Sequence, residues 1–403
     1  MNRLLHFIFL LISGLGAPAF LLASSTGALA DTTISTALPA VSSTATGTVE
    51  VVSSTVTAQP IHALHVTAWL AGSKKYRAHL NELFKTTVIN AVVIDIKEYE
   101  GEVYIPGVSM AEKAGAYVPA MPDVAAWIAD LKHQGIYTVA RIVVFKDDIM
   151  PRKNKSLAVK NSRGELWFDR HHVTWLDPYN PEAGRYNLLI ALQAAKLGFD
   201  EVQFDYIRFP TDGSLSQMRF SRPYDKKAAP HTLVSFLQQA NQLLHPLGTK
   251  ISIDVFGLTT TVNTGMGIGQ LLGPMAEQVD YVCPMTYPSH YARGEYGIPN
   301  PNDQPYKTIH LAMHDALKAL GPSAHAKLRP YFQDFSLKGR GIHYGKKEVR
   351  AQMQAAADLG LPSWTLWNAR CSYTLDAIKT PIIPVLISSP VTTSFSDVKS
   401  PSK

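Results

Sequence analysis

A single (β/α)₈ barrel of the TIM type with long βα loops is predicted by three features of the chain. Eight short, β-rich runs recur, each followed by a helical pattern. The links from helix to strand are short, whereas those from strand to helix are long. Charged residues recur on one alternate side near the carboxyl ends of four of the runs. With 403 residues, 46% of them hydrophobic, the chain is long enough to bury a large core without disulfide staples. A doubly wound open sheet is the competing arrangement, but the glycine fingerprint of a dinucleotide fold is missing.

Taken in order, residues 1–30 read as a secretory signal peptide. Met1-Asn2-Arg3 is a short cationic start, Leu4–Ala23 is almost wholly apolar, and Ala28-Leu29-Ala30 is a small-x-small cleavage site. An uncleaved anchor competes with that reading, because the run is long enough to span a bilayer. After removal of this segment no other would span a membrane, so the expected location is periplasmic or secreted. Residues 31–60, rich in Ser, Thr, Ala and Val, read as a linker, and 386–403 as a flexible tail.

The barrel is expected over 61–385. Its strands are predicted at Ala63–Leu70, Ala91–Lys97, Tyr137–Phe145, Glu201–Ile207, Lys250–Phe256, Asp280–Met285, Leu328–Phe332 and Ser363–Trp367. Pro122-Asp123 opens one helix and Gly135 ends it. Asn180-Pro181 puts a capping side chain before a proline in the first turn, and Gly198 closes that helix. Lys346–Leu359 is amphipathic and stops at Gly360-Leu361-Pro362. The long links after strands (Glu98–Met121, Lys146–Asn180, Arg208–Pro230, Tyr287–Pro305) mark the working face, since long loops cost little and carry function.

Net charge is +6, with Lys and Arg scattered, which argues against nucleic-acid binding. Cys283 and Cys371 are placed on the sixth and eighth strands, not neighbours, and are expected to be free thiols with no metal-ligand spacing around them.

Side-chain alternation gives the candidate site. Gln203, Asp205 and Ile207 share a side, as do Ser252, Asp254 and Phe256, then Val93, Asp95 and Lys97, and Arg141, Val143 and Phe145. This places Asp95, Lys97, Arg141, Asp205 and Asp254 inside the barrel near its top. Charges there cost several kcal/mol unless paired, so the group is either a structural ion network or a catalytic cluster, and its place at the carboxyl ends favours catalysis. Two carboxylates on adjacent strands suit glycosidic cleavage, one protonating the leaving oxygen and the other attacking the anomeric carbon or activating water. Trp69, Trp167, Trp175, Tyr179, Tyr206, Tyr287, Tyr291 and Trp367 fall at strand ends or in long loops, as sugar-stacking side chains or as ordinary core. Asp147-Asp148 is read as a substrate contact or a loop cap. The loop residues Asp169, His171 and His172 are read as solvated rather than metal-binding, and Gly265, Gly267 and Gly269 as a turn rather than a phosphate loop. No Gly-x-Ser-x-Gly is present.

The runs Val93–Lys97, Trp175–Asn180, Gln203–Pro210, Asp254–Gly257, Pro284–Tyr291, Gln333–Phe335 and Leu366–Ala369 together resemble the bacterial "putative glycosyl hydrolase domain" family over roughly residues 64 to 380. The resemblance implies a (β/α)₈ barrel with acids at the ends of strands four and five, matching Asp205 and Asp254. In α-amylase-like barrels the strand-five acid is Glu, so Asp254 is a departure. Chitinase-like barrels carry an acid where this chain has Ile207, which argues against substrate-assisted cleavage.

The expected function is therefore an exported glycoside hydrolase acting on an envelope or extracellular polysaccharide. Asp205 is expected as nucleophile or base and Asp254 as its acid partner. Asp95, Lys97 and Arg141 would orient them. Asp177, Tyr206, Arg208, Tyr287, His290, Gln333, Asp334, Trp367 and Asn368 are candidate sugar contacts. No cofactor or metal is implied. A non-catalytic carbohydrate-binding or scaffold protein of the envelope is the alternative, and a metal-assisted hydrolase or deacetylase a third.

Overall fold

Each predicted run forms a strand, and the eight close into one parallel barrel in sequence order. The computed structural model describes residues 59–337, 339 and 341–384; the predicted signal peptide, most of the linker and the tail lie outside them. The strands are β1 (His62–Val66), β2 (Ala91–Lys97), β3 (Tyr137–Val143), β4 (Glu201–Asp205), β5 (Lys250–Phe256), β6 (Tyr281–Met285), β7 (Tyr331–Gln333) and β8 (Trp364–Trp367). The helices that follow them are α1 (Lys74–Thr86), α2 (Val124–His133), α3 (Pro181–Lys196), α4 (Ala228–Leu244), α5 (Leu272–Ala276), α6 (Pro305–Leu320), α7 (Lys346–Ala357) and α8 (Leu375–Ile378). No helix among the described residues is long and apolar enough to cross a membrane.

Capping behaves as the sequence implies. The Asn180 side chain accepts the backbone N–H of Glu182 with Pro181 in the first turn of α3, and Gly198 leaves it in the left-handed region at φ 95°. The outward strand residues, such as Val92, Ile94, Ala140, Ile142, Val202, Phe204, Ile251 and Ile253, join the helices in one apolar core.

Several strands end earlier than alternation suggests, for local reasons. The first stops at Val66, because Thr67 starts a short helix, Ala68–Ala71. The fourth stops at Asp205, because Tyr206 turns into the left-handed region at φ 48°. Ile207 consequently packs in the core shared with the helices, not inside the barrel. Phe145, also expected inside, meets Phe236 of α4 at 5.9 Å between ring centroids. Pro330 has no N–H to donate, and the seventh strand begins only at Tyr331. Cys371 lies beyond the end of β8; both thiols are buried and free.

The inside of the barrel is layered. At the amino end of the strands Ala63, Ala91, Val93 and Val139 form a small apolar plug. On the same level across the barrel, Arg329 donates to both Glu201 oxygens, at 3.1 and 2.9 Å, and both residues are buried. Above them the Tyr331 hydroxyl donates to Gln203 at 2.6 Å, and Gln203 reaches the Cys283 sulfur at 3.2 Å. These layers fill the barrel and form the floor of the site above.

Candidate active site

Arg141, on β3, organises the carboxyl end. Its Nη1 donates to Asp95 at 2.6 Å and to Glu98 at 2.7 Å, and its Nη2 donates to Asp205 at 2.6 Å. Its Nε lies 3.8 Å from Asp254. Four acids from β2, the loop after it, β4 and β5 thus share one planar guanidinium, whose fork geometry suits carboxylates. On the other side of Asp95 stands His65 of β1, its Nε2 at 2.7 Å from Asp95 Oδ2. The Trp367 ring of β8 stacks on His65 at 3.8 Å between centroids and lies 5.1 Å from the Arg141 guanidinium carbon.

The acids fall into opposite protonation regimes. Burial would raise Asp95, but the charges of His65 and Arg141 outweigh it and hold its carboxyl below the ordinary range. Burial would lower His65, but the Asp95 charge and hydrogen bond lift it to about 10. Glu98 is pushed up to about 8 by burial and by the Asp95 charge, against the pull of Arg141. Asp254 is driven well up, first by burial and then by the Asp205 charge beside it. Burial and carboxylate neighbours thus favour the neutral form of Glu98 and Asp254 in the same cluster where Asp95 is held ionised, a separation of the kind acid–base work uses.

Four of the five expected interior charges meet here: Asp95, Arg141, Asp205 and Asp254. Lys97 does not. The pairing of β2 with β3 slips between Asp95 and Lys97, so Lys97 sits opposite Ile142 and faces the helical layer. A bulge adds one residue and reverses parity beyond it. Lys97 there pairs with Asp147 at 2.9 Å and donates to the Val143 carbonyl at 2.6 Å, 5.7 Å from the Tyr186 ring centre. Its place in the cluster is taken by Glu98, which strict alternation from Asp95 would have sent outward.

Other candidates brace the loops. Asp177 accepts the N–H groups of Tyr179 and Ser221, at 2.9 and 2.5 Å. Gln333 holds Ser289 N–H at 3.1 Å and the Phe335 carbonyl at 2.8 Å. Asp334 takes the N–H and hydroxyl of Thr374, and Asn368 donates to the Asp334 and Ser372 carbonyls. The amide and carboxylate groups offered to a sugar by sequence reading are, in these four, turned on backbone groups. Arg208 is buried against Trp175, Tyr206 and Phe256, and Tyr287 and His290 pack with Phe335 beside the cluster. Trp167 and Trp175 are core; Trp69 is 62% exposed and meets Tyr104 edge-on.

Asp147 caps the N–H groups of Ile149 and Met150. Asp169, expected to be solvated, is buried and pairs with Lys146 at 3.1 Å. His65 was missed although it shares parity with Ala63; a lone histidine in an apolar run has no distinguishing signal. Among the described residues, His65, Asp95 and Glu98 form one group whose donor atoms converge within 4.8 Å, as a cation would need. Arg141 Nη1 already bridges the two carboxyls, and His65 already binds Asp95.

The family model described as a putative glycosyl hydrolase domain matches residues 63–373. No curated protein sequence matches the chain. Among solved structures, the glycoside hydrolase domain of PgaB (BpsB) from Bordetella bronchiseptica is similar at a TM-score of 0.59 and 16% identity, over 77% of this chain and 95% of that one. A hypothetical protein from Ruminiclostridium thermocellum ATCC 27405 is 36% identical over 48% of this chain and 97% of its own, with a TM-score of 0.44. The C-terminal domain of a putative chitinase from Desulfitobacterium hafniense DCB-2 is 11% identical at a TM-score of 0.50, over 79% and 96% of the two chains.

Proposed function

Because the chain belongs to the "putative glycosyl hydrolase domain" family, we propose that it is an exported glycoside hydrolase that cleaves an envelope or extracellular polysaccharide through the carboxyls gathered on Arg141. The observation that carries this reading is the convergence of Glu98, Asp205 and Asp254 on Arg141, at 2.7, 2.6 and 3.8 Å, at the carboxyl end of the barrel. Asp205 is the nucleophile, or the base that activates water, and a protonated neighbour supplies the acid. Export rests on the Met1–Ala30 segment, with its cationic start and small-x-small site, and places the mature chain in the periplasm or outside the cell.

The mature chain is incubated with a panel of bacterial exopolysaccharides and cell-wall glycans, and products are read by mass. Wild type is expected to release shorter glycans. Asp205→Asn is expected to lose turnover by roughly 10³-fold or more while still retaining glycan in an affinity pull-down. Binding without turnover in both forms would instead identify a carbohydrate-binding protein of the envelope.

A further inference from the structure

We infer that Glu98, the residue carried into the site by the bulge in β2, is the proton donor that meets the leaving-group oxygen; this rests on the hydrolase reading above. Three observations converge on it. The first is access. The Glu98 side chain is 19% exposed, against 6% for Asp205, 2% for Asp254 and 1% for Asp95. A donor must touch the oxygen it protonates, and Glu98 is the most open acid on Arg141.

The second is placement. Arg141 holds Glu98 on Nη1 and Asp205 on Nη2, so the two acids sit on different nitrogens of one rigid plane. Asp254 stands 3.8 Å from Nε, beyond hydrogen-bond reach, and its Oδ1 has no hydrogen-bond partner among the described residues. The third is backbone fixation. Glu98 is clamped at both ends of its residue, its N–H donating to the Glu102 carbonyl at 3.2 Å and its Oε2 accepting the Tyr99 N–H at 3.3 Å. Burial and the Asp95 charge, which raise its pKa to about 8, then keep the proton in place at neutral pH. Asp254 becomes a positioning residue, a buried carboxyl beside Asp205 whose proton affinity burial raises.

The Glu98 proton passes to the glycosidic oxygen as its bond to the anomeric carbon breaks. That carbon bonds either to the Asp205 carboxylate or to a water whose proton Asp205 takes. In the covalent route the Glu98 carboxylate then takes a proton from a water that attacks the anomeric carbon, breaking its bond to Asp205 and restoring both side chains; in the water route Asp205 gives its proton to solvent and Glu98 regains one, so that one water is consumed either way.

The test compares the full chain with Glu98→Gln and Asp254→Asn. The substrates are 4-methoxyphenyl and 2,4-dinitrophenyl glycosides of the oligosaccharide that the panel releases. For Glu98→Gln the expected loss is ~10²–10⁴-fold in kcat/KM on the methoxyphenyl substrate. The dinitrophenyl substrate needs no proton and should lose less than ~10-fold, and the alkaline limb of the wild-type pH profile near 8 should disappear. Carboxyl NMR of chain labelled at glutamate supplies a readout free of substrate: one resonance titrating near 8, absent from Glu98→Gln. Equal losses on both substrates, leaving-group dependence in Asp254→Asn instead, or no glutamate titrating above ~6 would overturn the assignment while leaving hydrolysis intact. A wild type that releases nothing from the panel removes both readings together.

Discussion

At the scale of the residue, the His65–Asp95 pair links charge to stability. His65 is lifted to about 10 because the Asp95 charge and hydrogen bond outweigh burial, while an unfolded chain would titrate it near ~6.5. Its stabilisation is therefore complete below the unfolded value and lost as pH rises through 10. The melting temperature of the full chain is expected to fall from about pH 7 to 10, and His65→Gln should flatten that slope. Thermal melts across this range decide the matter, and an unchanged slope in the variant counts against it. Glu98 adds the same sign at lower pH. Its folded carboxyl, raised to about 8, keeps a proton that the unfolded chain has released, so its cost grows from ~4.5 upward.

At the scale of the element, the bulge in β2 separates a cation from an acid. Without it, Lys97 would enter the barrel and Glu98 would face the helices. With it, Lys97 is buried in the helical layer and must be neutralised there by Asp147. Removing one member of a buried pair costs ~3–5 kcal/mol. Lys97→Met is expected to lose about that much in urea unfolding. Adding Asp147→Asn should recover part of the loss, because it removes the stranded charge while its amide oxygen can still cap Ile149 and Met150. A double variant no more stable than Lys97→Met would show that the bulge does not depend on this pair.

At the scale of the molecule, the barrel has charge at two levels with different tasks. The Glu201–Arg329 pair lies deep, enclosed by Ser252, Tyr137 and Tyr281, and separated from the upper cluster by Gln203, Tyr331 and Cys283. It ties β4 to the segment entering β7, across a closed sheet whose β6–β7 seam is thin, with the Met285–Tyr331 pairing and the Val282–Leu328 bridge along it. Arg329→Met is accordingly expected to destabilise the fold by ~3–5 kcal/mol, read by urea unfolding; an unchanged midpoint would show that the pair does not hold the seam.

The sequence by itself determined the barrel. Period-two runs, capping signals and the loop-length asymmetry are local, and each was legible where it stood: Asn180 before Pro181, Gly198 after α3, the ends of β2 and β5. It also placed Asp95, Arg141, Asp205 and Asp254 on one side, because alternation is a local rule while a strand stays regular. Tertiary structure alone decided the rest, since it depends on pairing between strands distant in the chain. The slip of β2 against β3 sent Lys97 out and brought Glu98 in, and one residue of register reverses every side chain beyond it. The cluster in which burial and carboxylate neighbours raise Glu98 and Asp254, while His65 and Arg141 lower Asp95, exists only once five strands have closed around Arg141. The polar groups of Asp177, Gln333, Asp334 and Asn368 were visible as chemistry, but their partners, mostly loop backbone groups, are supplied only by the folded rim.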